Sequence, residues 1–221
     1  MRIAIDGLSG VGKSTYAKIL AKDYGLVYVD TGALYRAVGL FVFRAGADPK
    51  NAAQVEPLLG SITVSLEYKD GTQCVILNGE DVSGLIRTPE ISMYASAVSA
   101  LPPVREFLLG IQREMVECGG VIMDGRDIGT VIMPGADVKF FITATNEVRA
   151  ERRYKELIEK GVECDYEKIL AEIIERDEND RTRDVAPAVP ACDAVIIDNS
   201  NLTIDETVAR LKAVILEKTG A

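Results

Sequence analysis

The segment from Gly7 to Ser14 constrains this chain more than any other part of the sequence. It reads GLSGVGKS and matches the pattern G-x-x-x-x-G-K-[ST] in full. An apolar strand pattern precedes it and an amphipathic helix pattern follows it, which is the context that a phosphate-binding loop, or P-loop, requires. A glycine-rich turn with a capping serine is the alternative, and the flanking patterns argue against it. The segment therefore predicts a P-loop that binds ATP.

The residue types in this loop suit ATP phosphates. Gly7, Gly10 and Gly12 allow backbone conformations that a Cβ atom bars, and they let the backbone approach a ligand closely. Successive N–H groups can then converge on the β-phosphate, while Lys13 reaches the β- and γ-phosphates and the Ser14 hydroxyl is placed to bind Mg²⁺. The predicted ATP site comprises Gly7, Leu8, Ser9, Gly10, Val11, Gly12, Lys13, Ser14 and Thr15.

Short apolar segments alternate with helical patterns along the chain, which predicts a parallel sheet with helices on both faces. The predicted strands are Arg2–Asp6, Leu26–Val29, Val121–Met123, Val138–Ile142 and Ala194–Ile197. The predicted helices include Ser14–Asp23, Val104–Glu117, Tyr166–Asn179 and a last helix that begins at a capping box of Thr203 with Glu206. The fold class is a three-layer α/β P-loop fold with a five-stranded parallel sheet.

One stretch breaks this alternation. Ile62–Tyr68 and Gln73–Leu77 have the composition of strands, and Lys69-Asp70-Gly71 between them is typical of a hairpin turn. We therefore predict a small antiparallel insert in the α/β core, from about residue 61 to residue 92.

Composition excludes several kinds of site and partner. The chain has no histidine, so histidine metal sites, Ser-His triads and imidazole acid–base catalysis are excluded. The four cysteines are far apart and form no CxxC pair, which argues against zinc sites and disulfides. The net charge of −9 disfavours nucleic acid as a partner.

The expected location is the cytoplasm. No apolar run approaches the roughly 18 residues that a membrane span needs, and the first residues, MRIAI, do not resemble a signal peptide. We expect no membrane partner. The pattern contains no obvious exposed apolar stripe, so a monomer is expected.

Two polar motifs follow predicted strands. Asp30-Thr31-Gly32, with Tyr35 and Arg36, follows the second strand, and Asp124-Gly125-Arg126-Asp127 follows the third. Ligands of open parallel sheets bind beyond the carboxyl ends of the strands. An acidic residue there can order the waters of Mg²⁺, and an arginine can bind phosphate oxygens with two parallel hydrogen bonds. Turns with ordinary surface charge are the alternative.

A second group of charges lies at the end of the helix that starts at Tyr166. If that helix continues, Arg176, Asp180 and Arg183 stand at i, i+4 and i+7 on its inward side. Charge on an inward face is costly without a partner or an anionic ligand, which favours ligand contact. A solvated helix end with i,i+4 pairs is the alternative.

A third group, Arg149, Arg152 and Arg153, opens the helix after the strand Val138–Ile142. Loosely anchored arginines beside a phosphate site suit a mobile lid, because they must arrive as water leaves. A plain surface charge run fits the same pattern.

Together the motifs resemble the bacterial cytidylate kinases. The resemblance runs nearly end to end and is found in IAIDGLSGVGKST, VDTGALYRAV, DVSGLIRTPEIS, MDGRDIGTVIMPGADVKFFITAT, RAERRYKEL and ERDENDRTRDVAPAVPA. It implies a core of residues 1–32, 98–148 and 166–221, a monophosphate-binding region of residues 33–97 with an inserted three-stranded sheet, and a helical lid at 149–165. Leu8 and Thr31 depart mildly from the family pattern, in which proline and serine are common there.

The resemblance also implies roles for individual residues. It assigns the cytosine base to Ser96, Arg105 and Asp127. It assigns the sugar to Thr31, Arg176 and Asp180. It assigns the acceptor phosphate to Arg36, Arg126 and Arg183; Tyr35 completes the predicted CMP site. Asp124 would order the water shell of Mg²⁺. The predicted catalytic residues are Lys13, Arg126, Arg183 and the lid arginines Arg149 and Arg153, which the resemblance places over the ATP phosphates.

The implied reaction is transfer of the γ-phosphoryl group of ATP to CMP or dCMP with Mg²⁺. The attacking phosphate oxygen is already ionised at neutral pH, so no general base is required, which suits a chain without histidine. Another small-molecule P-loop kinase and a nucleotide-dependent switch remain as alternatives, although the guanine-specific string N-K-x-D does not occur. The acidic charge disfavours a nucleic-acid motor.

Overall fold

The computed structural model of the protein describes residues 1–69, 72–117 and 119–220. The described residues group into two compact units. Unit 1 comprises residues 1–28 and 119–220, and unit 2 comprises the described part of residues 29–117. Throughout these ranges, no helix combines the length and the apolar character that crossing a bilayer requires.

The helices and strands alternate as the sequence predicts. In chain order they are β1 (Arg2–Gly7), α1 (Lys13–Tyr24), β2 (Val27–Asp30), α2 (Thr31–Arg44), α3 (Ala52–Leu59), β3 (Val64–Lys69), β4 (Thr72–Leu77), β5 (Glu80–Asp81), α4 (Pro89–Val98), α5 (Pro102–Glu117), β6 (Val121–Gly125), β7 (Val138–Thr143), α6 (Asn146–Glu159), α7 (Tyr166–Thr182), β8 (Val195–Asp198) and α8 (Ile204–Thr219). A π-helical turn, Ile128–Ile132, lies between β6 and β7. The predicted capping box of Thr203 and Glu206 at the start of α8 is confirmed.

The predicted five-stranded sheet is confirmed, with strand order β2-β6-β1-β7-β8. β1 lies at its centre and pairs in parallel with β6 and β7. Ile5 is in register with Asp124, and Gly7 with Ile142, so the residues that follow β1 and β6 emerge at the same edge of the sheet. The three central strands, β6, β1 and β7, are largely buried because helices cover them, and the core of unit 1 includes Ile3, Ile122 and Phe140.

Unit 2 has its own apolar core and its own small sheet. β3 and β4 pair antiparallel, with Val64 opposite Leu77, and β5 adds a short third strand beside β4. The predicted antiparallel insert and its implied third strand are therefore confirmed. Asp70 and Gly71 of the predicted hairpin turn lie outside the described residues. Val38 of α2 and Val75 of β4 belong to the same buried cluster.

Three of the four cysteines lie in the described ranges. Cys74, Cys164 and Cys192 are thiols and form no disulfide in the described ranges. Cys118 lies outside those ranges.

Candidate active site

The P-loop joins the end of β1 to the start of α1, and two glycines set its path. Gly7 has φ +148°, and a Cβ atom there would lie 2.3 Å from the carbonyl oxygen of Ile142 on β7. Gly12 precedes α1 in the left-handed region, with φ 89°. A side chain at either position would be strained. Glycine is thus required by the backbone conformation at both positions, and at Gly7 also by the neighbouring strand β7.

Side chains of unit 1 hold the carbonyl groups of this loop. The hydrogen bonds run from Lys13 Nζ to Leu8 at 2.7 Å, from Arg149 Nη1 to Ser9 at 2.9 Å, and from Asn199 Nδ2 to Val11 at 2.8 Å. In a trans peptide the carbonyl and the following N–H point in opposite directions. The bonds from Arg149 and Asn199 therefore turn the N–H groups of Gly10 and Gly12 away from those two side chains and leave them available to an anion.

Lys13 lies inside the loop and is only 6% exposed. Burial, followed by the nearby positive charge of Arg126, lowers the pKa of Lys13 well below its ordinary value, although Asp124 and Asp6 oppose this effect. A bound anion would favour the charged form of the lysine. The electrostatics of this position therefore favour a phosphate-bearing ligand.

Ser14 and Asp124 form a set of hard oxygen donors at the carboxyl ends of the strands. Oγ of Ser14 donates to Oδ2 of Asp124 at 3.0 Å, and the hydroxyl of Tyr28 donates to Oδ1 at 2.8 Å. Mg²⁺ prefers one or two protein oxygens together with water and substrate phosphates. Among the described residues, no group of three or more His, Cys, Asp and Glu could hold a metal ion. The donor set therefore fits a Mg²⁺ ion that arrives with a nucleotide.

An arginine–carboxylate cluster follows β6 and the end of α7, also in unit 1. Nε of Arg126 donates to Oδ2 of Asp180 at 2.9 Å, and Nη1 of Arg183 lies 3.5 Å from Oδ1 of the same carboxylate. Nη2 of Arg183 lies 3.8 Å from Oδ1 of Asp127. Burial alone would raise the pKa of Asp180, but the guanidinium groups, Arg126 and Arg176 foremost, outweigh burial and lower it. The structure thus gathers these predicted residues of unit 1 into one ionised cluster.

Arg183 reaches this cluster by a different route from the one expected. α7 ends at Thr182, and Arg183 has extended backbone with ψ 142°. The prediction that Arg183 lies at i+7 on the inward face of the helix is therefore wrong. Its side chain is held from the following loop instead, because Nε donates to the carbonyl oxygen of Ala186 at 2.7 Å.

The lid arginines differ from one another. Arg149 is 1% exposed, and its guanidinium group forms two hydrogen bonds to the carboxylate of Asp177. The expectation of a loosely anchored arginine is therefore wrong for Arg149. A local sequence pattern could not reveal its partner, because Asp177 lies on α7. Arg153 is partly exposed and donates to Glu156 at 2.9 Å, within its own helix. Its role at the ATP phosphates stays a prediction.

Asp6 is a buried acid that sequence reasoning did not assign to the site. Its carboxylate accepts hydrogen bonds from the N–H groups of Ile128 at 2.8 Å and Gly129 at 2.7 Å. These bonds hold the π-helical turn that directly follows Asp127. Burial raises the pKa of Asp6 to about 7 although the two N–H groups lower it. The available signal was an acidic residue ending an apolar strand just before the P-loop.

In unit 2, Asp30 is the centre of a second cluster. Its carboxylate caps α2 by accepting from the N–H group of Ala33 at 3.1 Å. Oδ2 lies 3.5 Å from Nη1 of Arg36 and 3.6 Å from Nη2 of Arg87. The backbone N–H group of Asp30 donates to Oε1 of Gln73 on β4 at 3.0 Å, so the inserted sheet supports the start of α2. Sequence reasoning identified Arg36 but missed Arg87.

The other predicted residues of unit 2 surround the turn between α4 and α5. Arg105 is 7% exposed, donates to the carbonyl oxygen of Ser99 at 3.0 Å and lies over the ring of Tyr35, 5.5 Å from its centroid. The carbonyl oxygen of Ser96 accepts from the Ser99 hydroxyl at 2.8 Å. Thr31, at the first position of α2, is buried. Contact of these residues with a nucleotide stays a prediction.

Comparison with known proteins places these features in a family. The family model described as cytidylate kinase matches residues 3–217. A protein named cytidylate kinase from Caldicellulosiruptor bescii is 48% identical over 211 residues, which cover 96% of this chain and 93% of the relative. Another with that name, from Syntrophotalea carbinolica, is 49% identical over 216 residues, covering 98% of this chain and 92% of the relative.

One solved structure shares the fold at low identity. The crystal structure of an uncharacterized protein from Eubacterium ventriosum is 15% identical, with a TM-score of 0.53 and 98% of each chain covered. At that identity the likeness concerns the fold alone.

Proposed function

The chain belongs to the cytidylate kinase family and is therefore an enzyme of the nucleoside monophosphate kinase type, and on that premise we propose its reaction. ATP and CMP or dCMP react to give ADP and CDP or dCDP, with Mg²⁺. One bond between the γ-phosphorus and the bridging oxygen of ATP breaks, and one bond from that phosphorus to an acceptor phosphate oxygen forms.

The observation that best supports a phosphotransferase is the shared sheet edge of unit 1. The P-loop follows β1, and Arg126 follows β6, the strand paired with β1. Lys13 of the loop is close enough to Arg126 for the arginine to lower its pKa. The carboxylates of Asp124 and Asp6 offset only part of this effect, because the pKa of Lys13 stays lowered, so further negative charge beside the two cations would be favourable. A triphosphate with an acceptor phosphate would supply that negative charge.

Catalysis by these residues consists of positioning and charge neutralisation. Phosphoryl transfer places developing charge on equatorial oxygens, which Lys13, Arg126 and Arg183 are proposed to stabilise. The P-loop N–H groups orient the ATP phosphates, and Arg153 is proposed to join them. The acceptor oxygen is ionised at neutral pH, so no residue needs to remove a proton. Exclusion of water prevents the hydrolysis of ATP in place of transfer.

Ser14 and Asp124 are the residues proposed to hold Mg²⁺, Ser14 directly and Asp124 through water. When bound, the ion would neutralise phosphate charge and fix the geometry of the triphosphate. The buried carboxylate of Asp124 keeps the Ser14 hydroxyl oriented through their mutual hydrogen bond.

The proposed CMP contacts follow the family resemblance. In unit 1 the cytosine contact is Asp127, because a carboxylate can accept from the exocyclic amine of cytosine whereas uracil has a carbonyl group there. Arg176 and Asp180 are proposed to bind the sugar, and Arg126 and Arg183 the phosphate. In unit 2 the proposed contacts are Thr31, Tyr35, Arg36, Ser96 and Arg105.

A coupled assay of ADP release with CMP, dCMP, UMP and AMP as acceptors tests this proposal. We expect CMP to be phosphorylated far faster than UMP or AMP, with Mg²⁺ required. Equal rates with AMP would instead favour another monophosphate kinase. ATP hydrolysis that is indifferent to CMP would contradict the proposal. Location in the cytoplasm and a monomeric state stay predictions.

A further inference from the structure

Arg149 touches the P-loop but is held from α7. Nη1 donates to the carbonyl oxygen of Ser9 at 2.9 Å and to Oδ1 of Asp177 at 3.0 Å. Nη2 donates to Oδ1 of Asn146 at 2.6 Å and to Oδ2 of Asp177. These acceptors fix the plane of the guanidinium group from three directions. The guanidinium group of Arg149 therefore links the P-loop to α7 in a fixed orientation.

The burial of this pair argues against a direct phosphate contact. The side chains of Arg149 and Asp177 are 1% and 6% exposed. To reach a phosphate in solvent, Arg149 would have to leave Asp177 as an uncompensated buried charge, which is strongly unfavourable. By contrast Arg153, one turn further along α6, has a side chain 38% exposed and pairs with Glu156 of the same helix.

The loop is shaped to receive this side chain. Gly10 has φ +77°, and a Cβ atom there would lie 3.3 Å from Cβ of Arg149. The absence of a side chain at Gly10 thus lets the stem of Arg149 lie against the loop. Because Arg149 fixes the Ser9 carbonyl, it also fixes the opposite direction of the Gly10 N–H group in the same trans peptide.

α7 adds a connection to the acceptor residues. Asp177 holds Arg149, and Asp180, one helical turn later, accepts from Nε of Arg126 at 2.9 Å. The same rigid helix therefore fixes the loop proposed for ATP and an arginine proposed for the acceptor phosphate. Misplacement by about 1 Å can cost on the order of 100-fold in rate, since transfer depends on in-line geometry.

From these contacts we propose that Arg149 is a positioning residue, which Asp177 holds in place so that it orients the Ser9–Gly10 peptide of the P-loop. This inference rests on the proposed function, and it replaces the direct phosphate contact that the family resemblance implied for Arg149. The orientation of the Ser9–Gly10 peptide then depends on Asp177 as much as on Arg149. The two residues act as one unit.

A double-mutant cycle tests whether Arg149 and Asp177 act as one unit. We compare Arg149→Lys, Asp177→Asn and the double variant, measuring kcat, KM for ATP and KM for CMP. Positioning predicts that each single change lowers kcat/KM for ATP by about 10- to 100-fold. It further predicts that kcat/KM of the double variant is no lower than that of the more impaired single variant, since both changes break the same Arg149–Asp177 interaction. A wild-type-like Asp177→Asn enzyme, or fully additive losses, would overturn the proposal.

Folding and substrate identity need separate readouts. Thermal melts and ADP binding by calorimetry are measured on every variant, and weakened ADP binding in a folded variant supports positioning even if CMP is not the acceptor. A lower melting temperature with unchanged ADP binding and kinetics would indicate a purely structural pair and would contradict the proposal. If Asp177→Asn fails to fold, Asn146→Ala provides a second test, because it removes one of the two acceptors of Nη2 of Arg149. This variant should have a higher KM for ATP, and an unchanged KM would contradict the proposal.

A matched control lies on α6, the helix that carries Arg149. Lys155 and Glu151 form an exposed i,i+4 pair on α6, with side chains 68% and 49% exposed. Lys155→Met and Glu151→Gln should leave kcat, KM and ADP binding unchanged. A loss comparable to that of Asp177→Asn would show that any charge change on α6 has the effect, and the proposal would fail.

Discussion

The hydroxyl of Ser14 donates a hydrogen bond to Oδ2 of Asp124 at 3.0 Å, although 110 positions separate the two residues in the chain. The contact exists because β1 and β6 are parallel neighbours, so the residues that follow them reach the same sheet edge. It connects the start of the P-loop helix to the acidic residue at the end of β6. This pair is the proposed magnesium site.

Changing Asp124→Asn should weaken the use of Mg²⁺. The amide retains the shape of the side chain but loses the charge that orders metal-bound water. We expect kcat/KM to fall by about 10- to 100-fold and the Mg²⁺ concentration for half-maximal rate to rise. Initial rates across a Mg²⁺ titration measure both. Asp137→Asn, an exposed carboxylate before β7, is the control and should behave as wild type.

Changing Asp180→Asn should weaken the binding of CMP more than the binding of ATP. The substitution removes the charge that gathers Arg126 and Arg183, and hydrogen bonds between charged groups contribute about 1.5–3 kcal/mol. We expect KM for CMP to rise by about tenfold or more, with KM for ATP nearly unchanged. Glu178→Gln, exposed on the same helix, supplies the comparison. Equal increases in both KM values would contradict the assignment of this cluster to the acceptor.

Changing Arg36→Ala should raise KM for CMP without a large loss of stability. Arg36 lies 3.5 Å from Asp30 and is only partly buried, so the ion pair itself adds little to folding. Loss of a charged phosphate contact should cost about 1.5–3 kcal/mol in CMP binding. Arg44→Ala is matched to it, since Arg44 lies on the same helix and pairs with the exposed Glu80 at 2.6 Å. If both variants changed KM alike, the phosphate role of Arg36 would be refuted.

Asp6 should make the stability of the protein depend on pH. The pKa of Asp6 is raised to about 7 in the folded protein, mainly by burial, against about 3.9 in an unfolded chain. Between these values the folded state binds the extra proton, so this group's contribution falls as pH rises from about 4 to 7. Above pH 7 the full penalty of the buried charge is present.

Asp6→Asn isolates that contribution. Asparagine has no charge to bury, although its amide can accept from only one of the N–H groups of Ile128 and Gly129. Urea unfolding between pH 5 and 8 should show wild type losing stability relative to the variant as pH rises, by up to about 1.4 kcal/mol per pH unit. A difference that is constant over this range would rule out the raised pKa.

Much of the fold was predictable because its signals are local. The strand and the helix that flank the P-loop, the capping box at Thr203 and the strands of the insert each depend on residues within one element. Arg36 was singled out by its place after the second predicted strand, whereas Arg105 could be named only through the family resemblance, since spacing alone does not distinguish a ligand contact from a surface charge. Arg87 lies within the quoted motif DVSGLIRTPEIS but was given no role, and its distance of 3.6 Å from Asp30 brings it into that cluster.

The sequence by itself determined the P-loop from Gly7 to Ser14, because the spacing of its glycines and Lys13 within this one short segment defines the motif. Tertiary structure decided which charges hold that loop and the π-helical turn that follows Asp127. Asp6 meets Ile128 across 122 positions, and Arg149 meets Asp177 across 28. The energy of a buried charge depends on its partners, and only the folded sheet and α7 bring those partners within hydrogen-bonding distance.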